Sequence, residues 1–127
     1  MSSPYLISSH PLQNGLTLSF LDQSRKIAAD RWYVCVVIRI DIPLERKWFD
    51  DRRLDEMQFQ QIKSALGDEV VFEQKKERNF VSADQKDRIV EALCRGAVEL
   101  AVPYFGHKDF AAKYILRTYN DRQCRRG

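Results

Sequence analysis

The sequence is poor in the residues that build most metal and nucleotide sites. Its 127 residues include five glycines, three cysteines and two histidines. The glycines do not follow the GxGxxG spacing of a dinucleotide-binding turn, and no P-loop is present. Cys35, Cys94 and Cys124 are too far apart in sequence for a zinc knuckle or a CxxC redox pair. We therefore expect neither a metal site nor a cofactor.

Long apolar runs are also missing. All of them fall short of the roughly 18–20 residues that a membrane-spanning helix needs. Residues 1–21 contain no acid, lysine or arginine, and polar residues interrupt every apolar stretch. This pattern fits neither a secretory signal nor an arginine-rich transit peptide. We expect a cytoplasmic protein with no membrane partner.

The two histidines do not belong to a recognisable catalytic arrangement. A nucleophilic site needs a base within hydrogen-bond reach and a group that orients the base, and no GxSxG turn is present. The acid nearest to His107 in sequence is Asp109, and side chains two positions apart on a helix point in different directions. We therefore expect no catalytic residues. An enzyme on an unfamiliar scaffold would need His10 or His107 in a cleft beside a carboxylate.

The composition is that of one folded domain spanning residues 1–127. Apolar residues make up 44% of the chain, charged residues 31% and aromatic residues 11%. The net charge of +3 is too small, and the apolar fraction too large, for a wholly disordered chain. A chain of this length buries enough surface to fold without a disulfide or a metal. We expect disorder only in the last residues, 125–127.

Residues 31–42 carry the strongest local pattern. Apolar side chains occupy every even position from Trp32 to Ile42, which is typical of a strand with one face against a core. Tyr33, Cys35 and Val37 make the middle of the opposite face apolar as well. A strand that is apolar on both faces belongs in the interior of a sheet. Both of its faces are therefore expected to be covered.

Weaker patterns indicate further strands. A strand over residues 16–20 is followed by a switch in the apolar face, which predicts a bulge or irregular stretch near residues 22–24. This strand forms an antiparallel hairpin with residues 31–42, and residues 5–7 add a short strand. Residues 70–81 begin and end as a strand, and their charged middle predicts an edge strand or an exposed loop.

Three helices are also expected. The first spans about residues 54–66 and ends before a glycine that fits a C-terminal cap. The second begins at Ser82, because Gln85 completes a capping-box spacing, and runs to Pro103. It is apolar over more than half of its circumference, which indicates a central position with several neighbours. The third spans about residues 109–122.

The resulting element order is β-β-α-β-α-α. Only one strand–helix–strand connection occurs, so the chain does not have the repeated units of a doubly wound parallel sheet. We predict an α+β fold with a mainly antiparallel sheet of three to four strands and three helices packed against it.

The leading functional hypothesis is a protein-interaction or oligomerisation module without catalysis. It rests on apolar side chains that the predicted elements leave without an assigned neighbour, namely Tyr33, Val37, Trp48 and Phe49. The simplest partner is a second copy of the chain in a two-fold dimer, and another protein is the alternative. A third layer made by the N-terminal segment or by a helix would cover the strand face equally well.

The second hypothesis is binding of nucleic acid or another anionic ligand through two basic clusters. One lies in the loop 46–53, where aromatic residues stand among the bases, and the other lies in the C-terminal helix. The bases of the last helix would also complement the negative end of its dipole, and Asp50 and Asp51 offset the loop cluster. The candidate anion-binding residues are Arg46, Lys47, Arg52, Arg53, Arg117, Arg122, Arg125 and Arg126.

Overall fold

The computed structural model describes residues 5–50 and 52–126, with side chains as far as Cys124. Within this part of the chain there are five strands, three α-helices and one 3₁₀ turn. They are β1 (Tyr5–Pro11), β2 (Thr17–Asp22), β3 (Arg25–Ala28), β4 (Arg31–Pro43), the 3₁₀ turn (Arg46–Phe49), α1 (Glu56–Leu66), β5 (Glu69–Ser82), α2 (Lys86–Phe105) and α3 (Phe110–Arg126).

The predicted α+β class is confirmed, with an antiparallel sheet and three helices. Four strands precede the first helix, where the predicted element order had two. The N-terminal strand, which that order left out, is a full strand longer than residues 5–7, and an additional strand, β3, lies between β2 and β4. β4 lies in the interior of the sheet. It pairs with β2 and β3 on one side and with β5 along its whole length on the other, while β1 pairs with β2.

The division between β2 and β3 falls where the switch in apolar face predicted an irregular stretch. Gln23 and Ser24 separate the two strands, and both are tied to Cys35 of β4 instead of continuing the ladder. The N–H of Gln23 donates to the carbonyl of Cys35, and the hydroxyl of Ser24 accepts the N–H of the same residue at 3.0 Å.

The helices pack against one face of the sheet and enclose the main core. Alternate residues of β4, from Val34 to Ile42, are buried on this face together with Leu18 and Phe20 of β2. α2 packs mainly over β4, while α1 and α3 contact each other beside the 3₁₀ turn. None of the described helices combines the length and the apolar character of a membrane-spanning segment.

The centre of the other face of β4 is buried without belonging to the main core. Cys35 and Val37 are 1% and 0% exposed. In an antiparallel pair, directly opposite residues share a face, and the neighbours of these two across the ladders are Leu21 on β2 and Lys75 and Glu77 on β5. The expectation that both faces are covered is therefore confirmed at the centre of the strand, and the long side chains of adjacent strands flank the second face.

The first helix follows its sequence signals closely. Asp55 is the N-cap, its carboxylate accepts the N–H of Gln58, and the Gln58 side chain accepts the N–H of Asp55. Gly67 follows the helix with a φ of 88°, a backbone conformation that favours glycine. Its N–H donates to the carbonyl of Lys63 and so closes the last turn.

The start of α2 was predicted wrongly. Ser82 is the last residue of β5, where it pairs with Arg31, and the helix begins four residues later at Lys86. The hydrogen-bonded ladder to β4 therefore prevails over the local capping signal. Pro103 lies inside the last turn of α2, and the helix ends at Phe105.

β5 and α3 are both longer than the patterns indicated. β5 is one continuous edge strand from residue 69 to 82. Its charged middle is therefore part of an edge strand and not an exposed loop. α3 extends to Arg126, so the backbone at residues 125 and 126 is helical. Gly127 lies outside the described residues.

Candidate functional site

A groove of about 920 Å³ lies on the helix side of the sheet, between β5, α2 and α3. Phe72, Gln74, Lys76 and Arg78 stand opposite core residues of β4 and therefore share their face. Because α2 lies mainly over β4, it leaves this part of β5 largely uncovered.

The floor of the groove is aromatic. The ring of Phe72 lies 4.8 Å from Phe105, 5.7 Å from Phe110 and 5.3 Å from Tyr114, measured between centroids. Edge-to-face and tilted contacts at these distances are favourable for aromatic pairs. They hold the end of α2 and the start of α3 against β5 and so fix one end of the groove.

One wall of the groove is formed by two neighbouring rows of side chains on α2, each with a spacing of four residues. Rows of this spacing are the ridges that pack against another helix. Leu100 and Tyr104 of the outer row are 81% and 68% exposed, although both are large and apolar in part. The two rows are Ala92, Gly96, Leu100 and Tyr104, and Leu93, Ala97, Ala101 and Phe105.

Positive charge surrounds the groove. Lys76 and Arg78 stand on β5, and Lys113 and Arg117, four residues apart on α3, stand on the same side of that helix. Asp109 is the single carboxylate among the lining residues that the structure describes. Within the described residues none of the four bases forms an ion pair. The groove therefore combines an apolar floor with an excess of uncompensated positive charge.

His107 and Asp109 lie at one end of the groove and contact each other. The ring Nδ1 is 3.8 Å from the Asp109 carboxylate, so the expectation that these side chains point apart is wrong. The reason is that residues 106–109 form the turn between α2 and α3. Nδ1 accepts the backbone N–H of Asp109 at 3.1 Å, which places the proton of the neutral ring on Nε2. The ring therefore presents no Nδ1–H to the carboxylate, unlike the base of a Ser–His–Asp triad.

The predicted interaction residues do not form one exposed surface. Val37 and Phe49 are 0% and 1% exposed, and the ring of Phe49 packs edge-to-face on Phe59 at 6.0 Å. Phe49 was expected in an exposed loop, and it is buried because the 3₁₀ turn directs it between α1 and α3. Trp48 is half-buried and donates its indole N–H to the carbonyl of Pro43 at 2.7 Å.

Tyr33, the remaining interaction residue, is half-buried on the second face of the sheet. Burial and hydrogen bonds with Cys35 and Glu77 raise the pKa of its hydroxyl to about 12. The guanidinium of Arg25 lies 5.3 Å from the centre of the ring. Tyr33 is thus held within the sheet by its neighbours.

The predicted anion-binding loop is largely occupied by its own contacts. Arg46 donates to the carbonyl of Leu54 and lies 3.4 Å from the carboxylate of Glu56. Lys47 pairs with Glu45 at 3.1 Å. The remaining bases of the loop are half-buried Arg52 and exposed Arg53.

The C-terminal bases have different environments. Arg122 donates to the carbonyl of Ala65 at 3.0 Å, in the last turn of α1, where a positive charge is favourable. Arg117 lines the groove. The side chains of Arg125 and Arg126 lie outside the described residues. Arg117 is therefore the one predicted anion-binding residue that the described structure brings to the groove.

The fold and the groove define an α+β protein with an open apolar cleft bordered by cations. No family model, curated protein or solved structure matches the chain. Among the described residues there is no group of three or more His, Cys, Asp or Glu side chains that could hold a metal ion. The chemistry of the site is therefore inferred from its own residues.

Proposed function

We propose that the protein is a non-catalytic binding module and that the groove between β5, α2 and α3 is its binding surface. The observation that carries this proposal is the exposure of Leu100 and Tyr104 beside an aromatic floor. Apolar surface of this kind costs free energy in water unless it is covered, and contiguous apolar patches commonly mark binding sites. The groove volume also lies within the range of about 300–1,000 Å³ that is typical of ligand sites.

The ligand is apolar and negatively charged. An apolar part is favoured by the floor, and a negative charge by four bases that face the groove against one carboxylate. Complementary charge of this kind speeds association and gives specificity, and its contribution falls as salt screens it.

Nucleic acid remains a second candidate from the sequence, with weaker support. Arg46 and Lys47 pair with carboxylates of the chain, whereas within the described residues none of the four groove bases does, which favours the groove over the loop cluster. A self-associating module is the third, and it would use the same exposed face of α2.

The proposal is tested with 8-anilinonaphthalene-1-sulfonate, an apolar anion, followed by isothermal titration calorimetry. We expect binding to the wild-type protein and a Kd at least tenfold higher for Gly96→Trp. A Cβ at Gly96 would meet no atom within 4 Å, so a side chain can be added there without a clash at Cβ, and we expect the indole to project into the groove. Gln60→Trp, an exposed position on α1, is the matched control and should bind like the wild type.

Two results would contradict the proposal. One is equal affinity of the probe for Gly96→Trp and for the Gln60→Trp control. The other is the absence of measurable binding to the wild-type protein at low salt. Circular dichroism of each variant verifies that it is folded before the titration.

A further inference from the structure

We propose that the natural occupant of the groove is an acidic amphipathic helix of a partner protein, lying alongside α2 over β5. This inference rests on the proposed function and specifies the ligand of the same site. Helix-in-groove recognition uses apolar anchors spaced at i, i+3, i+4 and i+7 along the bound helix. Three features of the groove favour a helix over a small amphiphile.

The first feature is the size and position of the gap. The groove runs along β5 from Phe72, at its aromatic floor, to Arg78. At about 3.3 Å per strand residue this is roughly 20 Å, the length of about 13 helical residues. The gap lies in the same layer as α2, beside a wall of helix-packing ridges. A fourth helix there would complete the cover of the sheet.

The second feature is Gly96, in the middle of α2. Glycine is unfavourable inside a helix relative to alanine, and here no atom lies within 4 Å of a Cβ built on it. Packing within the described chain therefore does not require glycine at this position. Ala92 and Ala97 lie beside Gly96, so this part of the wall has only small side chains. The backbone of a partner helix can therefore approach α2 closely here.

The third feature is that the apolar surface extends from the floor of the groove to its mouth. Leu100 and Tyr104 line the groove but remain highly exposed, so they stand at its mouth. A small amphiphile lying on the aromatic floor would leave them in water. A helix, about 10–12 Å across with its side chains, covers the floor and the mouth together.

Charge determines the kind of helix. Lys76 and Arg78 border the open edge of the groove, and Lys113 and Arg117 border its end at α3. A helix that carries aspartate or glutamate beside its apolar stripe places carboxylates next to both pairs. A basic helix would bring like charges together, which is unfavourable.

The free edge of β5 is poorly suited to pairing with another strand. Glu73, Lys75 and Glu77 alternate along it, and charged side chains on an edge strand discourage added strands. The ladder to β4 is also irregular near its end, where Phe80 has a φ of 56°. These features oppose strand addition and leave the groove as the docking surface.

The test is a yeast-displayed library of 18-residue helical peptides, with apolar residues varied on one face and glutamate or lysine allowed at the flanking positions. Selection on the wild-type protein should enrich glutamate over lysine at the flanks and retain the i, i+3, i+4, i+7 apolar stripe. A synthetic peptide with an enriched sequence should displace 8-anilinonaphthalene-1-sulfonate. Its Kd should rise at least tenfold for Gly96→Trp and stay unchanged for Gln60→Trp.

The outcomes separate this inference from the proposed function. If the probe binds in a groove-dependent way but no peptide is enriched, or lysine is enriched at the flanks, the acidic helix is wrong and the binding module stands. Displacement of the probe by dodecanoate, with no enriched peptide, assigns the groove to a small amphiphile. A dimer in sedimentation that Gly96→Trp abolishes assigns it to a second copy of the chain. If Gly96→Trp leaves the Kd of the probe unchanged, both proposals fail.

Discussion

The hydroxyl of Tyr114 in α3 donates a hydrogen bond to the backbone carbonyl of Val71 in β5, at 3.1 Å. This bond joins two elements that are otherwise held together at the groove by aromatic contacts. It fixes α3 across the beginning of the edge strand and thereby places Lys113 and Arg117 at the end of the groove.

Replacement of Tyr114 by phenylalanine tests the importance of this bond. Tyr114→Phe retains the ring contact with Phe72 but removes the donor to Val71. We expect the free energy of unfolding to fall by about 1 kcal/mol, the usual net contribution of one hydrogen bond. Urea denaturation measures this change. No loss of stability would show that water replaces the hydroxyl at no cost.

Asp22 makes the stability of the protein depend on pH. This carboxylate is 5% exposed and accepts hydrogen bonds from the Tyr5 hydroxyl at 3.0 Å and the Ser24 N–H at 2.8 Å. Burial alone would raise the pKa of Asp22, but the bonds with Ser24 and Tyr5 and the charge of Lys86 lower it below its usual 3.8.

Because the folded state favours the ionised form of Asp22, its contribution is complete above about pH 4–5 and is lost as the pH falls through 3.8 and below. We expect Asp22→Asn to lower the free energy of unfolding at pH 7 by about 1–3 kcal/mol. The variant should also show a shallower loss of stability between pH 5 and 3, measured by urea denaturation. An unchanged acid slope would contradict this assignment.

Replacement by alanine should have opposite effects on the free energy of unfolding at two glycines. At Gly96 nothing lies within 4 Å of an added Cβ, so Gly96→Ala should raise the free energy of unfolding by roughly 0.5–1 kcal/mol. At Gly106 the Cβ would lie 2.9 Å from the carbonyl oxygen of Val102, and Gly106→Ala should cost about 1–3 kcal/mol. Thermal unfolding of both variants measures the difference, and a destabilised Gly96→Ala would disprove the open environment of that position.

Arg117 and Arg122 should be functionally different although both lie on α3. Arg117→Gln removes a charge at the groove and should weaken binding of 8-anilinonaphthalene-1-sulfonate several-fold at low salt, because charge attraction is strongest there. Arg122→Gln removes the bond to Ala65 and should cost less than about 1 kcal/mol of stability, with unchanged probe affinity. Equal effects on affinity would indicate a general response to net charge.

Much of the fold follows from the sequence because its local signals agree with the tertiary contacts. The alternation in residues 31–42 predicted β4, and the apolar residues on both of its faces predicted its interior position. The glycine after Leu66 predicted the end of α1. The predicted start of α2 at Ser82 was wrong, because the capping-box spacing and the strand pattern compete at this residue. Pairing with Arg31 across the sheet decides the outcome, and this partner is 51 positions away in the chain.

The groove could not be predicted in the same way, because its residues come from three elements whose relative positions depend on long-range packing. One signal was present in α2, whose apolar surface covers more than half of its circumference. That surplus indicated additional neighbours, and in the structure Leu100 and Tyr104 are exposed to the groove instead. Phe49 shows the opposite case, because the 3₁₀ turn buries a residue that the sequence places in a loop, whereas Trp48 remains half-buried.

The most direct test of the binding groove is a ¹H–¹⁵N NMR titration of the uniformly labelled protein with 8-anilinonaphthalene-1-sulfonate. We predict that the largest shift changes fall on residues 72–78, 92–105 and 110–117, the three segments that enclose the groove. Changes centred on Tyr33 and Cys35, or spread evenly over the chain, would contradict the account.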